Sequence, residues 1–214
     1  MGRLFWVGID LTGNPKRMSA AALVGRRQAT VEWIGSDEEI VARLSGLRPR
    51  VVAIDAPLSF PSNGVHLRSC DKEVRRLGVS ILPPTLGPMR HLTDRGIRLS
   101  GYLKSAGVAV IETYPRAVHR LMGWLGPGER PSARTLRSLH EHFPIRVKTD
   151  VNEHAIDALT CAWVAYLHWT GKTVELGDPR EGTIALPRAC ITPSRRSPRT
   201  SRRSHSRYSR TTRS

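Results

Sequence analysis

The chain has 214 residues and a formal net charge of +16, from 34 lysines and arginines against 18 acids. That length supports one substantial core and makes a single domain the default; no apolar run is long enough to span a bilayer, and the N-terminus lacks a signal-peptide pattern. Cys70, Cys161 and Cys190 are odd in number, far apart and without zinc spacing, which argues against a disulfide scaffold or zinc module and predicts a reducing, cytoplasmic setting.

Residues 3–10, Arg-Leu-Phe-Trp-Val-Gly-Ile-Asp, form an apolar run that ends in a carboxylate and meets the turn residues Gly13, Asn14 and Pro15. A run apolar on both faces predicts a central strand. Residues 18–24 and 29–34 follow around a turn at Gly25, Arg26 and Arg27, and connections this short predict an antiparallel meander. Ser36 with Glu39 reads as a capping box opening a helix, whose apolar stripe is Ile40, Val41, Leu44 and Leu47. The strand at 50–55 is then reached by a helical crossover and should lie parallel to the first, beside it. Beyond Pro57 the pattern breaks up, with a short helix expected at 71–77 and another at 91–106. A strand at 108–112 follows, then helices from Tyr114 to about Leu125 and at 132–142. The final helix, 152–169, contains no Gly or Pro and can be capped by Asp150 or Asn152. Its Ala155, Ala158, Ala162 and Ala165 are small enough to lie close on a sheet. A turn at 177–182 precedes a last short strand at 183–186.

Residues 193–214 hold eight arginines, which is half of the charge excess, and no acid. This Ser/Arg-rich stretch cannot bury a core and is expected to be a disordered tail on a domain spanning 1–192. The body is basic without it. Such a balance favours a polyanionic partner, most simply nucleic acid, though a basic protein without one fits the charge equally well.

The order strand, strand, strand, helix, strand, helix, strand, helix is that of the ribonuclease-H-like fold. The expected architecture is a five-stranded mixed α/β sheet, strands one to three antiparallel and four and five parallel to one, flanked by helices. In it Asp10 and Asp55 end adjacent parallel strands about 4.8 Å apart, and Glu112 ends the next. Like charges so close call for a cation between them, and hard oxygen donors suit magnesium or manganese. Asp157, in the otherwise apolar Ala-Ile-Asp-Ala-Leu, is the candidate third ligand, with Glu153 and His154 on the same helical face as possible helpers. Two ions held in this way can stabilise the attacking and leaving oxygens of phosphodiester hydrolysis. Each acid also has a plain structural reading. Asp10 can close an Asx turn, Asp55 can cap backbone before Pro57, Glu112 can pair with Arg116, and Asp157 with an arginine beneath its helix. A second cluster, Arg68, Arg75 and Arg76, would overhang the site and grip phosphate, or else form a solvated helix face capped by Asp71.

Seven phrases together resemble an uncharacterised family of predicted nucleases with a ribonuclease-H-like fold. They are Gly8-Ile-Asp10, Ala53-Ile-Asp55-Ala-Pro-Leu-Ser, Arg68-Ser-Cys-Asp71, Pro83-Pro84 with Gly87-Pro-Met89, Ile111-Glu-Thr-Tyr-Pro115, His154-Ala-Ile-Asp157-Ala, and Gly177-Asp with Glu181-Gly182. The resemblance runs from the first strand to about Pro187. It implies a metal-dependent nuclease in which Asp10, Asp55 and Asp157 hold Mg2+ or Mn2+, Glu112 orients water or a supporting group, and Arg68 and Arg75 bind phosphate. Two rival readings remain at this stage: a phosphotransferase of the actin and sugar-kinase type, for which Asp10-Leu-Thr-Gly13 is only a faint phosphate loop, and a non-catalytic nucleic-acid-binding or scaffold protein.

Overall fold

The computed structural model describes residues 6–191 apart from Pro15, residues 26–27, Asn63 and residues 148–150. Expectations for residues 3–5, for the turn at Arg26 and Arg27, for a cap at Asp150 and for the basic tail therefore lie outside the described residues.

Strands β1 (Trp6–Asp10), β2 (Ser19–Val24) and β3 (Gln28–Ile34) form the antiparallel meander. Helix α1 (Asp37–Leu47) opens on the capping box: Ser36 Oγ accepts from Glu39 N at 3.1 Å and Glu39 Oε2 accepts from Ser36 N at 3.3 Å. Strand β4 (Val51–Asp55) returns parallel to β1, and β5 (Val110–Glu112) lies parallel outside it. Between these two strands stand α2 (Ser69–Arg76) and α3 (Gly87–Ser105). Each begins earlier than the apolar pattern suggests. In α2 Asp71 caps the helix from inside its first turn, its side chain accepting from the N-cap Arg68 N at 2.9 Å. In α3 Pro88 occupies the first turn, where a missing N–H costs nothing.

Helices α4 (Pro115–Leu121) and α5 (Ala133–His142) lead to β6 (Arg146–Val147), then to α6 (Glu153–Trp169) and a hairpin of β7 (Thr173–Asp178) and β8 (Gly182–Pro187). The main sheet has the order β5-β4-β1-β2-β3-β6. It is the ribonuclease-H-like arrangement with six strands rather than the expected five. The sixth, β6, adds only two residues parallel to β3, too short a segment to carry a pattern. Strand β7 was likewise unforeseen, because its half-buried residues show no alternation.

The sheet lies between two helical layers. Ile40 and Leu44 of α1 and Leu99 and Leu103 of α3 cover one face through Val7, Ile9, Ala21 and Leu23. Helix α6 covers the other, with Ala155, Ala158, Ala162 and Ala165 all fully buried. Gly8 makes that contact possible. A Cβ there would overlap Ala158 O and Ala162 N, so only glycine lets the backbones of β1 and α6 approach this closely. The start of α6 is thereby held over the C-terminal ends of β1 and β4.

Candidate active site

Asp10 and Asp55 are register partners at the last positions of β1 and β4. Glu112 ends β5, one step on, opposite Ile54. Asp157 comes from the first turns of α6, which Asn152 caps by accepting from Ala155 N at 3.0 Å. The fold thus brings together the four acids that the sequence singled out. Burial, then the charges of Asp10, Asp157 and Glu112, push the Asp55 carboxyl well above the usual range. Burial, then Asp10, push Asp157 up to about 8.

Their partners differ from the simple structural readings. Asp10 accepts from His154 Nδ1 at 2.6 Å, and that hydrogen bond raises the half-exposed imidazole's pKa. The local turn beside Asp10 is made instead by Thr12 and Asn14. Among the described residues Asp157 meets no arginine in hydrogen-bond contact. Its Oδ1 lies 3.6 Å from His119 Nδ1, and both atoms are buried without a hydrogen-bond partner. Thr160 explains why. Its hydroxyl donates to Ile156 O at 2.9 Å, so it accepts from His119 Nε2 at 2.8 Å. His119 Nδ1 then carries a lone pair, and burial holds this ring neutral by lowering its pKa to about 4. Two acceptors face one another unless Asp157 carries a proton or something positive lies nearby.

Glu112 is fully engaged. It accepts from Leu58 N at 2.8 Å and from Arg68 Nη1 and Nη2 at 2.7 and 2.6 Å. Burial raises its pKa, and Arg68 draws it back. Arg68 is the main correction to the sequence reading. It is completely buried, donates also to both oxygens of Asp71 and to Ser59 Oγ, and has no face left for phosphate. Burial alone would disfavour its charge, but the carboxylates more than offset this and its pKa rises. Arg75 and Arg76 are exposed on α2, and Arg75 is tied to Ile81 O at 2.8 Å. Glu153 pairs with Arg130 on the surface, and only its charge is felt at His154 and Asp157.

Asp10, Asp55 and Glu112, but not Asp157, line a cavity of about 210 Å3 together with Ile81, Leu82, Met89, Leu92 and Tyr114. The ring of Tyr114 was missed at the sequence level, where it marked only a helix start. Its hydroxyl donates to Ser80 O at 3.0 Å, and burial, then Asp55, push its pKa up to about 12. The exposed Arg116, two residues from Tyr114, supplies positive charge felt at Asp157. His119 and Thr160 were also missed. A buried histidine has no signal until the helices meet.

No curated protein matches the chain. Among solved structures, T. thermophilus RuvC in complex with a Holliday junction substrate has a TM-score of 0.49 at 12% identity, covering 78% of this chain and 97% of that one. Thermus thermophilus RuvC has a TM-score of 0.45 at 14% identity, covering 78% and 97% respectively. The yeast mitochondrial Holliday junction resolvase Ydc2 has a TM-score of 0.42 at 13% identity, covering 79% of each chain. A family model matches residues 8–182, from β1 to the first residue of β8 and across all four acids. The chain belongs to the family described as protein of unknown function DUF429.

Proposed function

We propose that the protein is a metal-dependent nuclease that hydrolyses phosphodiester bonds at the C-terminal edge of its sheet. The observation that carries this reading is the side-by-side placement of Asp10 and Asp55 in register on adjacent parallel strands, with Asp157 presented to them from α6. Open α/β sheets place their chemistry at this edge.

The donor set fits a small hard cation. Its ligands would be the carboxylate oxygens of Asp10, Asp55 and Asp157, and the uncompensated charge is visible in the raised carboxyls and in the unpartnered Asp157 Oδ1. Among the described residues no three such side chains converge closely enough to enclose an ion as they stand, so the fit is one of donor chemistry and charge. When bound, magnesium or manganese would neutralise the cluster and lower the pKa of water beside the phosphate. His154 holds Asp10 in place and, half exposed, can exchange a proton with solvent at the site's rim. Glu112, clamped by Arg68, fixes the loop after β4 through Leu58 N and so shapes the pocket without approaching a ligand itself. Arg116 offers a cation on the solvent side for the phosphate that carboxylates alone would repel.

The test incubates purified protein with labelled single-stranded, double-stranded and branched DNA and with RNA, in magnesium, manganese or chelator. Cleavage is expected only with metal, and Asp10→Asn or Asp55→Asn should abolish it while leaving the circular dichroism spectrum unchanged. Cleavage surviving both substitutions would remove the proposed site.

A further inference from the structure

The apolar part of the cavity lining has a chemistry that hydrolysis does not require. Leu82 lines the cavity with 56% of its surface exposed, and Leu86, nearby in sequence, is 53% exposed. The wall is firmly built. Tyr114 Oη donates to Ser80 O and Arg75 to Ile81 O, while the Thr93 hydroxyl lies 3.2 and 2.8 Å from the carbonyls of Pro84 and Met89. The segment between α2 and α3 is thus pinned along its length, and the cavity is preformed.

We propose that this cavity receives one unpaired nucleobase of the strand being cut, so that the substrate is single-stranded or locally opened nucleic acid rather than continuous duplex. The proposal rests on the nuclease reading for its substrate class. Size selects a single ring system. A cavity of about 150 Å3 already admits benzene, whereas drug-sized ligands need upwards of about 300 Å3; 210 Å3 lies between these values and is too small for a base pair. Charge selects a neutral occupant, because the residues lining the cavity include no lysine or arginine to receive a phosphate. The lining selects a flat apolar face: aliphatic side chains and one tyrosine ring are the surroundings in which extruded bases are held. A base seated here would also take Leu82 out of water.

The test titrates the full chain, in magnesium, into oligonucleotides bearing a single 2-aminopurine, whose emission reports its stacking. The probe is placed in a single strand, in a continuous duplex, and in a one-nucleotide bulge of the same duplex. Emission should change saturably for the strand and the bulge, and not for the continuous duplex. Leu82→Ser, at a largely exposed position where folding is not at stake, should weaken the response roughly tenfold, the size expected from a lost apolar contact of about 1.4 kcal/mol. Met89→Trp, which narrows the cavity, should weaken it further. An equal response from continuous duplex, or a response unchanged in both variants, overturns the proposal. The readout does not depend on cleavage. A base-specific signal with no cleavage of any substrate removes the nuclease reading and keeps the pocket; efficient cleavage of continuous duplex without a base signal does the reverse.

Discussion

Replacing Asp157 by asparagine should stabilise the metal-free protein, and the gain should grow with pH. Burial, then Asp10, raise this carboxyl from 3.8 to about 8. Between those values the folded chain holds a proton that the unfolded chain has released. Stability of the parent therefore falls as pH rises across the window and levels off above about 8. Each pH unit is worth about 1.4 kcal/mol per proton, which sets a ceiling of roughly 6 kcal/mol over the full interval. The Asp157 side chain keeps 22% exposure, and water reaching it reduces the expected gain above pH 8 to about 2–3 kcal/mol. For a domain of this size that is roughly 5–10 °C in Tm, against about 2 °C at pH 5. Asparagine is the informative choice because it removes the charge while its amide N–H places a donor beside the lone pair of His119 Nδ1. Both proteins would be melted in chelator from pH 5 to pH 9, then at pH 8 across a magnesium titration. Magnesium should stabilise the parent by mass action and the variant much less. A gain that is flat with pH, or that shrinks as pH rises, would refute the account of Asp157 as an uncompensated acid.

Arg68→Met should cost about 3–5 kcal/mol, because it strands two buried carboxylates without their cation. Denaturant unfolding should find a smaller loss at pH 4, where Glu112 can take up a proton, and Arg68→Lys should rescue it only in part, since an ammonium cannot span both acids. Gly8→Ala should destabilise by roughly 3–5 kcal/mol or prevent soluble expression, because the new Cβ meets helix backbone that cannot give way; a variant with the parent's Tm would show that α6 is held less closely than described. Deleting residues 193–214 should weaken nucleic-acid binding at low salt and flatten its salt dependence, since eight arginines that can release counterions are lost. The same deletion should leave Tm nearly unchanged, which a thermal melt would check directly.

Much of the fold was legible because its signals are local. Two apolar runs ending in Asp10 and Asp55, separated by an antiparallel meander and one capped helix, suffice to predict adjacent parallel strands, and the capping box at Ser36 and Glu39 forms as written. The alanines of α6 announced a close helix–sheet contact in their size alone, whereas the need for glycine at position 8 did not show, because the atoms that require it belong to a helix 150 residues away. Short elements escaped, since β6 spans two residues and β7 has no alternation to read. The site divides in the same way. Which acids lie at strand ends follows from the chain's own periodicity. What each acid touches does not, because a side chain's partner is set by three-dimensional approach rather than spacing. Arg68 looked like a surface phosphate ligand and is instead the buried clamp between Glu112 and Asp71, 44 and 3 residues away. Glu153 and His154 are neighbours on one helix, yet one turns to Arg130 at the surface and the other to Asp10. Only the tertiary structure brings Leu82, Met89 and Tyr114 together with the carboxylates, because three separate segments must meet before a cavity exists.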